Sequence, residues 1–215
     1  MRMLGNGFIP HFTGASAWWS NNGAISGCVA AYQPKGAVSL AASYVNLANP
    51  GVNDAAPGVS PTLDSSGWVF NGITQYLTTG IASNTAHTMI VRFSNATGTA
   101  GCVAGASDGF GFRFLIYPRY NGAFHLYGYS GLNTPAVAQS SGVMAISNNN
   151  CYLNGSTDGT TTGSSINSLA IAIGGRNAIG VMDTFYTGNV QALAIYSSAL
   201  SSGEISALTT IMNAL

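Results

Sequence analysis

From Ser66 onward the chain alternates between short apolar runs and turns marked by glycine or asparagine. Trp68-Val69-Phe70, Asn71-Gly72 and Gln75-Tyr76-Leu77 read as strand, tight turn and strand. Thr88 to Phe93 is a β-branched, apolar run bounded by Asn95 and Gly98. Phe110 to Tyr117 alternates, turns at Asn121-Gly122 and returns through Phe124 to Tyr129. Val143 to Leu153 ends at an Asn154-Gly155 turn, and Ser168 to Ile173 stops at Gly174-Gly175. Asn189 to Tyr196 supplies the last strand. Short strands at this spacing, with no intervening helical pattern, predict a sandwich or jelly roll rather than βαβ units. One helix is expected near the C-terminus. Ser201 and Glu204 form a capping box, and Ile205, Leu208 and Met212 share one face with Ile211 beside them.

Residues 1–26 carry Trp18-Trp19 and Asn21-Asn22-Gly23 without a sustained period of 2 or 3.6, so they read as an extended N-terminal arm ahead of a 27–215 domain. Between Ala30 and Pro61, four prolines and three glycines break the chain into turns. Within that stretch Val38 to Leu47 fits a strand or a single helical turn equally well.

Composition narrows the function. Six Lys+Arg and six Asp+Glu make only 6% of the 215 residues, against about 25% in an ordinary domain. The chain holds 28 Gly, 24 Ser and 19 Asn, and yet 47% of it is hydrophobic. That apolar share argues against disorder. Zero net charge without a basic run argues against nucleic-acid binding. No apolar stretch approaches the ~18 residues of a membrane span, and Met1 to Gly7 lacks the apolar core of a secretory signal. A surface with so little charge favours association, so other subunits or copies of the chain are expected partners. Cys28, Cys102 and Cys151 are too few for a disulfide framework and have no zinc-ligand spacing, so they read as small packing residues in a reducing compartment.

Several segments resemble the laminin G-like, or concanavalin A-like, jelly-roll domains. Phe70-Asn71-Gly72-Ile73-Thr74-Gln75-Tyr76-Leu77 is similar to their strand-turn-strand opening, and Cys151-Tyr152-Leu153-Asn154-Gly155 to their aromatic-aliphatic-Asn-Gly hairpin. Ile173-Gly174-Gly175-Arg176 resembles their glycine-stopped strand, and Phe185 to Ile205 their closing strand and helix. The resemblance covers roughly residues 66–212 and implies two antiparallel sheets of about six or seven strands each. Ala30 to Gly58 resembles a stretch found in bacteriophage tail and other virion proteins that carry this jelly roll, which implies a virion component assembled in the host cytoplasm.

The family includes glycoside hydrolases, which need paired carboxylates. Asp54, Asp64, Asp108, Asp158, Asp183 and Glu204 are scattered, with no two within five residues, and the family's ExDxE arrangement is missing. His11, His87 and His125 accompany no GxSxG elbow. No catalytic residue and no cofactor is therefore expected. Calcium, the family's commonest ion, has Asp64, Asp158 and Asp183 as candidate ligands; the alternative is that each aspartate closes its own Asx-turn.

The turn at Asn121-Gly122 makes a sharper proposal. It pairs Tyr120 with Ala123, Pro118 with His125, Ile116 with Tyr127 and Phe114 with Tyr129. One face then carries Phe110, Phe112, Phe114, Ile116, Tyr127 and Tyr129 and reads as core; the other carries Arg113, Tyr117, Arg119, Phe124 and Leu126 and points outward. Arg113, Tyr117, Arg119, Tyr120, Asn121 and Phe124 are the candidate ligand-binding or subunit-binding face, with Tyr117 a stacking platform and the arginines forked donors suited to acidic sugars. Trp18 and Trp19 either anchor the arm on a neighbour or fold back over their own sandwich; the arm is assigned to assembly. Together these features predict a non-enzymatic phage virion protein of tail or capsid, with a glycan-binding module as the alternative and a glycan-degrading enzyme behind both.

Overall fold

The computed structural model describes residues 17–109, 111–163 and 168–215. The first sixteen residues of the arm, His11 among them, and the expected strand start Phe110 lie outside the described residues. In chain order the strands are β1 (Cys28–Tyr32), β2 (Ala56–Val59), β3 (Thr62–Asp64), β4 (Gly67–Asn71), β5 (Tyr76–Ala82) and β6 (Thr88–Ser94). Then come β7 (Ala104–Ser107), β8 (Arg113–Tyr120), β9 (Phe124–Tyr129), β10 (Gly131–Asn133), β11 (Gly142–Ser147) and β12 (Asn150–Leu153). The last are β13 (Ser156–Thr160), β14 (Ala170–Ile173), β15 (Arg176–Ala178), β16 (Val181–Asp183) and β17 (Thr187–Tyr196). Helix α1 is the single turn Leu40–Ser43, capped by Ser39, and α2 is Ser202–Ala214.

The strands form two sheets. One runs β13-β12-β11-β6-β17-β4-β3, with β1 also on β17; the other runs β10-β9-β8-β7-β14-β5-β2, with β15 and β16 attached at β7. Pairing is antiparallel apart from a two-residue parallel contact of β15 with β7. The fold is the all-β two-sheet sandwich that the strand spacing predicts, with more strands than the expected six or seven per sheet.

Burial explains the sequence pattern. In β6, Met89, Val91 and Phe93 enter the core between the sheets, while Ile90 faces the other way and is covered too. That strand reads as a continuous apolar run because α2 roofs the first sheet, laying Ile205, Leu208 and Met212 over Ile90, Ala192, Ala194 and Tyr196. A bulge between Val190 and Ala192 in β17 lets Val190 point inward and Ala192 outward. The capping box of α2 is formed as expected, with Ser201 accepting from the Glu204 amide and the Glu204 carboxylate accepting from Ser201.

Three expectations change. The Phe70 to Leu77 segment is no hairpin, because β4 and β5 belong to opposite sheets. The Asn71 side chain accepts from the amides of Ile73, Thr74 and Gln75, turning the chain across the sandwich instead of back along it. Val143 to Leu153 is two strands, β11 and β12, reversing at Asn148 with φ +50°. Trp18 is 1% exposed and packs with Ile25, Leu208 and Met212 of its own chain, while the Tyr196 hydroxyl donates to the Trp19 carbonyl at 2.6 Å. Of the two fates open to the tryptophans, folding back over the sandwich is the one observed.

The proline-rich stretch is held by one buried residue. The Asn46 amide oxygen accepts from Ala31 and Ala48, and its nitrogen donates to Val29 and Val52. This side chain replaces ladder bonds for a segment too irregular to make its own.

Candidate functional site

The hairpin β8–β9 pairs Phe114 with Tyr129 and Ile116 with Tyr127, as the turn predicts. Nearer the tip the register slips: Tyr120 pairs with Phe124, and Pro118-Arg119 stand opposite the single residue His125. Proline has no N–H to contribute to the ladder, so the bulge falls where it costs least. The slip moves Tyr120 to the outer face, where its ring meets that of Tyr117 edge-on at 5.8 Å.

This face is largely closed. Tyr117 is 3% exposed, packed with Cys102, Leu115 and Leu126, and its hydroxyl lies 2.8 Å from that of Thr184, which follows β16. Tyr117 therefore offers no open platform for a sugar ring. Leu115 fits here because glycines flank it: a Cβ at Gly105 or Gly128 would come within 2.3 and 2.7 Å of its side chain. Arg113 donates to the Ser130 carbonyl, and Arg119 to the carbonyls of Gly98 and Gly122. Asn121 sits exposed in the turn at φ +52°, and Phe124 is 38% exposed. Phe112, expected in the core, is 42% exposed, because β8 begins only at Arg113.

Two side-chain pairs escaped the sequence reading. Arg176 and Asp183 form a two-pronged ion pair at 2.7 and 2.5 Å across β15–β16, which keeps the guanidinium fully protonated. Through Thr184 this pair connects to Tyr117, whose ionisation burial opposes. His125 and Asp158 meet at 2.5 Å, with Tyr127 donating to the same carboxylate oxygen at 2.9 Å. The other ring nitrogen of His125 lies 2.5 Å from the Val137 carbonyl. Both imidazole nitrogens are thus engaged, which leaves none to act as a general base. No spacing rule links residues 33 positions apart on different sheets; His125 faces inward with Tyr127 and Tyr129 by the plain alternation of β9, and the packing of the two sheets brings Asp158 to it.

The open concavity lies elsewhere, at one end of the sandwich. Thr85-Ala86 from the β5–β6 loop, Asn148 to Asn150 from the β11–β12 turn, Gly163, and Ser197 to Ala199 between β17 and α2 surround a cleft of about 630 Å³, with Tyr129 in its wall. That volume lies within the range of small-molecule sites. Its polar groups are hydroxyls and amides; it contains no charged side chain. The Tyr129 hydroxyl donates to the Thr85 carbonyl at 2.7 Å and approaches the Asn148 amide oxygen at 3.4 Å, fixing two walls to each other. Among the described residues the side chains of Thr85, Asn150 and Ser198 make no hydrogen bond within the chain. The sequence reading missed this site. Asn148-Asn149-Asn150 was the available signal, hidden inside what read as one strand.

The six carboxylates are each committed to the chain's own groups. Asp54 accepts from Asn46 and Gly51, Asp64 from Ser66, Asp108 from Phe112, and Glu204 caps α2. Of the calcium candidates, Asp64 closes an Asx-turn, whereas Asp158 and Asp183 take the pairings above. Among the described residues no three His, Cys, Asp or Glu side chains converge as a metal site would require. The thiols of Cys28 and Cys151 are pushed up to about 12 by burial, and that of Cys102 is pushed up further by complete burial. Burial beside Phe114 lowers the His87 pKa.

No protein-family model matches the chain. No curated protein matches it by sequence. Solved structures do match in shape. Domain 4 of AbnA, a GH43 extracellular arabinanase from Geobacillus stearothermophilus in complex with arabinotriose, superposes with a TM-score of 0.55 at 14% identity, covering 85% of this chain and 98% of that domain. A mutant Trypanosoma rangeli sialidase displaying trans-sialidase activity gives 0.51 at 16% identity, over 74% of this chain but only 30% of the sialidase. Likeness at these identities shows the fold alone: a jelly-roll sandwich of two antiparallel sheets.

Proposed function

We propose that this chain is a carbohydrate-binding module that holds its ligand in the cleft at the end of the sandwich and performs no catalysis. The carrying observation is the cleft itself: three loops converge amides and hydroxyls, with three side chains uncommitted to the chain, on a concavity of about 630 Å³. Sugars present rings of hydroxyls that both donate and accept, and asparagine, serine and threonine match both roles. Domain 4 of AbnA, which holds arabinotriose, lends support as a domain of similar fold and nearly equal extent. The dispersed, internally bonded carboxylates favour binding over hydrolysis. Glycan is accordingly the proposed partner, and no cofactor is proposed.

The virion setting is a second reading, with other virion proteins or further copies of the chain as partners. It is favoured by the 6% charged composition and by Phe112, Ile179 and Val181, exposed by 42, 59 and 68%. The two readings are compatible, since a virion protein can carry a glycan-binding module. A glycan array probed with the labelled chain tests the first. Binding that weakens at least tenfold in Asn150→Ala/Ser198→Ala is expected; binding that survives this change places the site elsewhere.

A further inference from the structure

We infer, on the reading that the cleft binds glycans, that its ligand is a neutral oligosaccharide and not an acidic one. Recognition of a sugar carboxylate or sulfate is favoured by a cation whose donors face the ligand, or by a metal ion that bridges it. The cleft offers neither. Its lining residues carry no charge at pH 7.

The Lys and Arg side chains of the described residues all donate to groups of the chain, and none of them lines the cleft. Lys35 donates to the Leu215 carbonyl oxygen, and Arg92 to those of Met212 and Leu215, at the end of α2. Arg119 binds Gly98 and Gly122, and Arg176 faces the Asp183 carboxylate with both prongs. Arg113 is the cation to test. It donates to the Ser130 carbonyl at 3.2 Å, and a Cβ on the lining residue Gly163 would stand 2.3 Å from the Ser130 hydroxyl. One bond to a neutral carbonyl leaves its remaining donors available, yet the guanidinium itself is not part of the lining.

The anionic side of the balance agrees. His125 and Tyr127 hold Asp158, and among the described residues no carboxylate lines the cleft to carry a bridging cation. What remains is a set of uncharged groups that can donate and accept. Most of these groups are solvent-exposed, and they set no counter-charge against an acidic sugar to offset the desolvation of its fixed charge.

The test uses the whole chain and titration calorimetry at 20 and 300 mM NaCl. The neutral probes are arabinotriose, cellotriose and lactose together with any neutral glycan that the array selects; the acidic probes are trigalacturonate and sialyllactose. Binding of a neutral probe, with affinity changing less than twofold between the two salt concentrations and unaffected by Arg113→Gln, is the expected result. Tighter binding of an acidic probe, lost at high salt or in Arg113→Gln, would overturn the neutral assignment while leaving the glycan-binding reading in place. Absence of binding to both classes, on the array and in solution, would overturn the reading and this inference with it. Circular dichroism of Arg113→Gln confirms that its fold is unchanged, since Arg113 is half-exposed and bonds only to a loop carbonyl.

Discussion

The imidazole of His125 on β9 and the carboxylate of Asp158 on β13 meet at 2.5 Å and tie one sheet of the sandwich to the other. The histidine side chain is 3% exposed and the aspartate 22%, so water screens the pair weakly. Removing the imidazole leaves polar atoms of its partners without their hydrogen bond, at a cost of about 3 kcal/mol. His125→Ala should therefore lower the melting temperature by roughly 6–12 °C. Scanning calorimetry checks this; an unchanged transition would mean the contact contributes nothing.

Asn46 anchors the turn-rich segment through four side-chain bonds. Asn46→Ala leaves two amides and two carbonyls without partners at a fully buried site. The expected loss is about 3 kcal/mol or more, read as a shifted urea midpoint. Asn46→Asp keeps the acceptors, loses the two donated bonds and buries a charge, so it should be no milder.

Trp18 belongs to the fold. Trp18→Ala should cost about 3–5 kcal/mol, and a chain starting at residue 27 should be less stable by a similar amount. Trp18→Phe should cost less, because the indole N–H is buried without a hydrogen-bond partner among the described residues. Urea titration of the three variants gives the order; equal stability of the residue-27 chain and the full chain would return the tryptophans to an external role.

Alkali should destabilise the protein well before neutral or mildly acidic solution does. Cys28 and Cys151 ionise near 9 when unfolded and near 12 when folded, and burial likewise raises Tyr127, Tyr186 and Tyr196 above 10. Folded pKa values above unfolded ones mean that the native state holds these protons more tightly. Their contribution is complete below pH 9 and is lost as pH rises from 9 to 12. Melting temperature should fall continuously across that window. Native thiols should also resist iodoacetamide at pH 8 and react once urea unfolds the chain.

Strand content, the C-terminal helix and the far half of the β8–β9 register were legible because each rests on a local rule. Alternation, capping and the Asn-Gly turn act within a few residues. Three things were not legible. The Asn71 corner uses turn residues to change sheets, and the same residues would serve a hairpin. The bulge at Pro118 swaps Tyr120 for Arg119 on the outer face, and a proline alone does not announce a slip. The cleft is assembled from loops spread between residues 85 and 199, in which asparagine and serine serve as turn formers and as ligand groups alike. The hairpin face was read as open because periodicity reports which side a residue takes, but not that Thr184 closes over Tyr117.

The central claim is the location of the glycan, and amide chemical-shift mapping tests it most directly. The ¹⁵N-labelled chain is titrated with the tightest glycan from the array. The largest shifts are expected at Thr85-Ala86, Asn148 to Asn150, and Ser197 to Ala199, with Tyr120 to Phe124 unmoved. Shifts centred instead on Tyr120 to Phe124, with the cleft silent, would contradict the account.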